Sequence, residues 1–284
     1  MSRTKHKIPI PLRLVRWVFP KIELISTKLA VLYLEKIFFT PLKYKTPVKE
    51  LETERAAVKG LLDCQGKKIQ LYEWGSSAAP YVMVVHGWAG RATQFRKFVP
   101  VFNQAGVRVV GFDGPAHGKS EGKRTSIAEF ETVMREIVKQ KGVPLAILAH
   151  SFGGGAALFA IRNGLPVTKL INIASPTISD EIIKSFLTAI NGSWPTGLRF
   201  KEFIKVKFGR PFEDFTAMNI IRGITGLNLM LIHDTEDKEV RIIQAQTLAK
   251  EYPPTKMLIT NGLGHNRILK DDTVIQACLD FVRN

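Results

Sequence analysis

Short apolar runs recur along most of this chain, separated by stretches in which apolar residues return every three or four positions. The runs Tyr81–Val85, Val107–Phe112, Leu145–Ala149, Lys169–Ile173, Leu227–Ile232 and Lys256–Thr260 are rich in Val, Ile and Leu, as strands buried on both faces are. Between most of them lie helical patterns at Phe95–Ala105, Ile127–Lys141, Gly153–Asn163, Val240–Glu251 and Thr273–Arg283. Upstream, Val58–Leu62 and Ile69–Trp74 flank Cys64-Gln65-Gly66-Lys67, which reads as a hairpin. Strands alternating with helices predict an α/β fold with a mainly parallel central sheet covered by helices on both faces.

Two segments break the rhythm. The interval 175–226 is too long for a single crossover and carries two helical patterns, Asp180–Ile190 and Arg199–Phe208, separated by Asn191-Gly192-Ser193-Trp194-Pro195. It reads as a small helical cap inserted above the C-terminal edge of the sheet, where α/β sheets bind ligands, with Trp194 and Phe203 among its candidate substrate-binding residues. Residues 1–49 read as an N-terminal arm ahead of a main domain at 50–284. Within the arm, Ile22, Ile25, Leu29, Leu32 and Phe39 predict an amphipathic helix over Lys21–Phe39, stopped by Thr40-Pro41. Such a helix packs on the main domain or lies on a membrane surface.

Charge sharpens the second option. The 284 residues carry 41 Lys and Arg against 25 Asp and Glu, a net +16. Residues 1–49 hold eleven of the basic groups against Glu23 and Glu35, so the arm alone contributes +9 and favours anionic surfaces. Prolines and Arg13 and Arg16 interrupt the apolar stretch Ile8–Pro20, which excludes a signal-peptide reading, and Lys28–Phe39 is too short and too charged to span a bilayer. Cys64 and Cys278 lie far apart and match no ligand or redox spacing, which argues a reducing compartment. The expected location is therefore cytoplasmic, with the arm able to touch the anionic inner face of the membrane. No metal or cofactor is implied. Nucleic-acid binding is not expected, because the basic residues do not interleave with an aromatic stacking platform.

Chemistry concentrates where strands end. The run Leu145-Ala-Ile-Leu-Ala-His150-Ser151-Phe152-Gly153-Gly154-Gly155 drives an apolar strand into a serine and then into a Gly- and Ala-rich helix. That is the pattern of a nucleophile elbow, whose neighbours must be small because strand and helix cross closely. Tyr81–Val85 leads into His86-Gly87-Trp88-Ala89-Gly90, a turn able to aim the Trp88 N–H, together with that of Phe152, at an oxyanion. Asn261-Gly-Leu-Gly264-His265 places a histidine on a glycine-rich loop after a late strand, where a general base can reach the serine. Leu229–Ile232 is followed by Asp234, Glu236 and Asp237, carboxylates placed to orient that imidazole. Asp234 sits early in the turn, where a short carboxylate tends to bond its own backbone, whereas Asp237 lies deeper in the loop.

With these residues in hand, the chain resembles the α/β-hydrolase superfamily from about residue 56 onward, of the serine hydrolase and esterase type found in bacteria. His86–Arg91, Ala149-His150-Ser151-Phe152-Gly153 and Phe112-Asp113-Gly114-Pro115-Ala116-His117-Gly118-Lys119-Ser120 carry the likeness, with Ala149 and Ala116 where the usual motifs have glycine. The resemblance implies the fold, a Ser151–Asp237–His265 triad and the Trp88 and Phe152 oxyanion pair, since Asp237 is followed three residues later by apolar Val240 as in similar sequences. It also implies hydrolysis of a small-molecule carboxylic ester or thioester through an acyl-enzyme. The alternative is a basic membrane-surface or scaffold protein with a vestigial site, although every triad position is filled.

Overall fold

The computed structural model describes residues 10–284; the first part of the arm, with Arg3, Lys5, Lys7 and Ile8, lies outside the described residues. The helices are α1 (Ile10–Ile25), α2 (Thr27–Phe38), α3 (Val48–Ala56), α4 (Phe98–Gln104), α5 (Ile127–Lys141), α6 (Phe152–Arg162), α7 (Ser179–Ile190), α8 (Trp194–Phe208), α9 (Ala217–Ile220), α10 (Ile243–Glu251), α11 (Gly264–Arg267) and α12 (Asp272–Arg283). The strands are β1 (Val58–Cys64), β2 (Lys67–Trp74), β3 (Tyr81–Val85), β4 (Arg108–Phe112), β5 (Ala146–His150), β6 (Lys169–Ile173), β7 (Asn228–Asp234) and β8 (Lys256–Thr260). They form one sheet in the order β1-β2-β4-β3-β5-β6-β7-β8. Only β1–β2 and β2–β4 pair antiparallel; the remaining neighbours are parallel. This is the α/β-hydrolase fold that the resemblance implied.

The pattern of burial explains why the central strands read as unbroken apolar runs. Every residue of β3, β4 and β5 is buried, because helices cover both faces of the sheet. Along β3, Met83 and Val85 join one core with Val133 and Ile137 of α5 and Ala156 and Ala160 of α6. Val82 and Val84 point the other way, into a second core with Phe98 and Phe102 of α4 and Ile275 and Leu279 of α12. Local signals set the ends of the elements. Ser126 caps α5 by accepting the Glu129 N–H at 3.4 Å, and Gly142 stops it with a φ of 82°.

The chain divides into two compact units. The larger comprises Thr40–Ile178 and Phe215–Asn284 and contains the whole sheet; the smaller joins the chain up to Phe39 to Ser179–Asp214. The expected arm of residues 1–49 is thus shared between them. Beyond residue 39 it is tied to the larger unit, for instance through the Arg91 guanidinium donating to the Tyr44 carbonyl at 2.6 Å.

Within the smaller unit the arm departs from its expected form. Instead of one helix over Lys21–Phe39 there are two, separated at Ser26, whose hydroxyl caps α2 by accepting the Leu29 N–H. The first is described from Ile10 and runs through Pro20. Pro20 removes the bond that the Arg16 carbonyl would have accepted, and the Asn191 side-chain amide donates to that carbonyl instead, at 3.3 Å. The arm helices pack on α7 and α8: the Phe38 ring lies 5.0 Å from that of Phe186 and 5.1 Å from that of Phe200. Helix α8 also starts earlier than Arg199, at Trp194, because Pro195 fits its first turn.

Candidate active site

The site lies in the larger unit, at the C-terminal ends of β3, β5 and β7 and on the short helix α11 that follows β8. Strand β5 ends at His150, and the chain turns sharply at Ser151 to enter α6. Ser151 takes φ 52° and ψ −124°, a conformation that costs a non-glycine residue on the order of 1–3 kcal/mol. Its surroundings hold it there. The Ser151 N–H donates to the Ile173 carbonyl at 2.9 Å, and the Ser151 carbonyl accepts from the Gly154 N–H at 2.9 Å and from the Ser175 hydroxyl at 2.7 Å.

Small neighbours make the turn possible. A Cβ on Gly87 would lie 2.9 Å from the Ser151 Cβ, so the turn after β3 passes directly against the serine. A Cβ on Gly153 would lie 2.5 Å from the Val85 carbonyl oxygen and 2.7 Å from that of His86, both fixed backbone atoms. On the same helix, Gly155 has nothing within 4 Å of its missing Cβ. Gly153→Ala is therefore expected to destabilise the protein by about 1–3 kcal/mol through forced displacement of α6 from β3. Gly155→Ala is expected to be neutral or to stabilise by up to about 1 kcal/mol from helix propensity. Thermal unfolding of the pair checks the contrast, and equal midpoints would mean that the close crossing is not what fixes this turn.

Ser151, Asp237 and His265 come together across the sheet edge. The His265 Nε2 lies 3.0 Å from the Ser151 Oγ, and its Nδ1 lies 2.8 Å from the Asp237 Oδ2. Because a carboxylate only accepts, Nδ1 carries the proton and Nε2 presents its lone pair to the hydroxyl. The other oxygen of Asp237 accepts the N–H groups of Glu239 and Val240 at 2.8 and 2.9 Å. Burial pushes the Asp237 pKa up, but the hydrogen bond and charge of His265 and these two N–H groups outweigh it and leave the carboxyl below the usual range. Burial likewise opposes charging of His265. The Asp237 hydrogen bond and the charges of Glu239 and Asp237 prevail and raise its pKa above the ordinary histidine value.

Asp234 has a different part. Its side chain accepts from the Glu236 N–H at 2.9 Å, the Thr260 hydroxyl at 2.7 Å and the Leu263 N–H at 2.9 Å, so it ties the end of β7 to the loop that carries His265. The remaining described histidines are neutral fixtures of the fold. His86 donates from Nδ1 to the Gly87 carbonyl at 2.7 Å and accepts the Gly114 N–H at Nε2 at 2.8 Å, and burial lowers its pKa to about 4. His117 donates to the Pro115 carbonyl, and His233 to that of Val240. His150 donates from Nε2 to the backbone carbonyl of His265 at 2.9 Å, with the two rings 4.8 Å apart; burial and the neighbouring imidazole lower its pKa to about 3. The sequence reading missed this clamp and the tether from Ser175. Both signals were present, a histidine beside the serine and a serine just past β6, but neither residue has a fixed meaning until the loops meet.

Phe152 is the first residue of α6, so its N–H belongs to the turn that lacks intrahelical partners. Trp88 sits in the turn closed by the Gly90 N–H donating to the Gly87 carbonyl, and its ring lies 5.2 Å from that of Phe152. The two residues are thus side by side next to Ser151. In the loop Asp113–Ser120, the Asp113 carboxylate accepts the N–H groups of Ala92 and Lys119, and Ala116 adopts a φ of 65°, a left-handed conformation that accounts for glycine in similar motifs. Trp194 and Phe203 lie half-buried on α8 of the smaller unit, each with a lysine ammonium near its ring. No group of His, Cys, Asp and Glu among the described residues is arranged to hold a metal ion.

Known proteins share parts of this chain. A family described as "Serine aminopeptidase, S33" matches residues 76–198, which include the turn after β3 and the Ser151 elbow. Rat monoglyceride lipase is 26% identical over 110 residues, covering 35% of this chain and 36% of that protein. The human serine hydrolase-like protein is 33% identical over 119 residues, 38% of this chain and 58% of that protein. The matches thus span from about a third to just over half of these relatives. Among solved structures, an esterase of Pyrococcus furiosus superposes with a TM-score of 0.65 at 16% identity, covering 86% of this chain and 96% of that one. At that identity the likeness concerns the fold.

Proposed function

We propose that this chain, with its α/β-hydrolase fold, is a serine hydrolase cleaving carboxylic esters through an acyl-enzyme, with Ser151, His265 and Asp237 as its triad. The observation that carries this reading is the hydrogen-bond chain from Ser151 Oγ through the His265 ring to Asp237, at 3.0 and 2.8 Å. In the acylation step the Ser151 Oγ attacks the acyl carbonyl carbon while His265 Nε2 takes the hydroxyl proton. The N–H groups of Trp88 and Phe152 stabilise the resulting oxyanion. Collapse breaks the bond to the leaving alcohol, which receives the proton from Nε2. Water then attacks the acyl-serine by the same route, releasing the acid and restoring the hydroxyl. Asp237 holds the imidazole in the required tautomer and stabilises the imidazolium.

The name of the rat relative suggests a substrate class to try first, an acyl ester of a lipid. The test is hydrolysis of monoacylglycerols and of simple esters and thioesters of graded chain length by the purified protein. Failure on every member would sink the proposal. A vestigial site is disfavoured by the intact hydrogen-bond chain, which a protein without the chemistry has no need to maintain.

The pH profile gives a second check. The base works only when neutral, so kcat/KM is expected to fall as pH drops, with a midpoint above the ~6.5 of a free imidazole because the His265 pKa is raised. His86 and His150, with pKa values lowered to about 4 and about 3, cannot supply that limb. A midpoint below that of free imidazole would place the base elsewhere.

A further inference from the structure

Among the described residues, one face of α1 in the smaller unit has no protein partner. Ile10, Leu14, Trp17 and Leu24 recur at the spacing of a single helix face, with Lys21 on the same line and Ile25 beside it. All five apolar residues are 60% or more exposed, while Phe19, on the opposite side, is fully buried. Leu29 extends the apolar surface onto α2. A large exposed apolar stripe on a water-soluble surface marks an interaction site.

The charges say what the stripe meets. Arg13, Lys21 and Lys28 lie on the same two helices, and the Lys21 ammonium sits 3.1 Å from the centre of the Trp17 ring. The acidic residues of these helices are engaged inside the unit: Glu23 accepts from the Ser193 hydroxyl and N–H, and Glu35 pairs with Lys207. On these two helices the exposed charged groups beside the stripe are therefore cations. Two copies of this chain facing each other through it would oppose like charges, whereas anionic headgroups would neutralise them. An aromatic ring and a lysine together at the edge of an apolar stripe also suit the interfacial zone of a bilayer. Among the described residues, no helix is long and apolar enough to cross a membrane.

We propose that α1, with the start of α2, docks flat on an anionic lipid surface, burying Leu14, Trp17 and Leu24 among the acyl chains while Arg13, Lys21 and Lys28 pair with the headgroups. The proposal is independent of the chemistry at Ser151, so binding is measured on the full chain in both wild-type and Ser151→Ala form. Vesicles of phosphatidylcholine alone are compared with equimolar phosphatidylcholine and phosphatidylglycerol by co-sedimentation. Both proteins are expected to bind the anionic vesicles, to release at high salt and to show a blue-shifted tryptophan emission. The triple variant Leu14→Ser, Trp17→Ser, Leu24→Ser should lose about tenfold or more in partitioning. Trp17→Phe should keep most of the binding and lose the blue shift, which controls for misfolding of the triple variant. Equal binding to both vesicle types, unchanged binding of the triple variant, or a self-associated form that the triple variant dissolves without any vesicle binding would each overturn the proposal.

Discussion

Ser151→Ala is expected to abolish labelling by a fluorophosphonate probe and to lower turnover on the order of a million-fold. The reason is local. Among the described residues, no side chain but His265 uses the Ser151 hydroxyl, so its loss removes the attacking atom and little else. The backbone at this position is held through its own N–H and carbonyl by Ile173, Gly154 and Ser175, and none of those bonds depends on the side chain. Alanine also keeps a Cβ, so the strain of the positive φ is unchanged. The thermal midpoint should accordingly stay near that of the wild type. A folded Ser151→Ala protein that is still labelled, or that retains appreciable turnover, would show that another residue forms the covalent adduct.

Asp237→Asn carries the next largest expected effect, a loss of about ten-thousand-fold in turnover in a protein that still folds. Asp237 accepts three hydrogen bonds, two from backbone N–H groups and one from His265 Nδ1. An asparagine can keep the backbone pair through its oxygen, but its NH2 then faces Nδ1. The imidazole must turn its lone pair toward that NH2 and carry its proton on Nε2, pointing at the hydroxyl whose proton it is meant to take. The neighbouring carboxylates provide the contrast. Asp234→Asn breaks an anchor between β7 and the His265 loop, so it is expected to cost stability, about 1–3 kcal/mol, more than turnover. Glu236→Gln touches none of these bonds and should be close to silent. Turnover and thermal midpoints of the three single variants decide the matter: a severe turnover loss in Asp234→Asn, with Asp237→Asn nearly active, would reverse the roles.

Much of this molecule was legible along the chain because its determinants are local. A strand buried on both faces has to be an unbroken apolar run, and Tyr81–Val85 and Lys169–Ile173 have the bounds that their composition predicts; Lys256–Thr260 also keeps its predicted bounds, but as the edge strand β8 it buries none of its residues. The elbow was legible for a similar reason: a close crossing of β5, β3 and α6 demands small residues at fixed offsets from Ser151, and Gly153 stands there. The order of serine, acidic cluster and histidine, each just past a strand, also belongs to the sequence alone.

Tertiary structure decided what depends on residues far apart in the chain. Which of two carboxylates meets His265 is set by loop paths after β7 and β8, as is the clamp of His150 on the His265 backbone, since these contacts join positions 28 and 115 residues apart. The arm shows the same limit. Its periodicity announced an amphipathic helix, but the continuation of α1 through Pro20 rests on Asn191, 175 residues away in sequence, donating to the carbonyl that proline leaves without a partner. A local pattern fixes which face of an element is apolar and where a turn must be tight. It carries no information about which distant segment satisfies a particular polar group, because that choice is made by the packing of the whole chain.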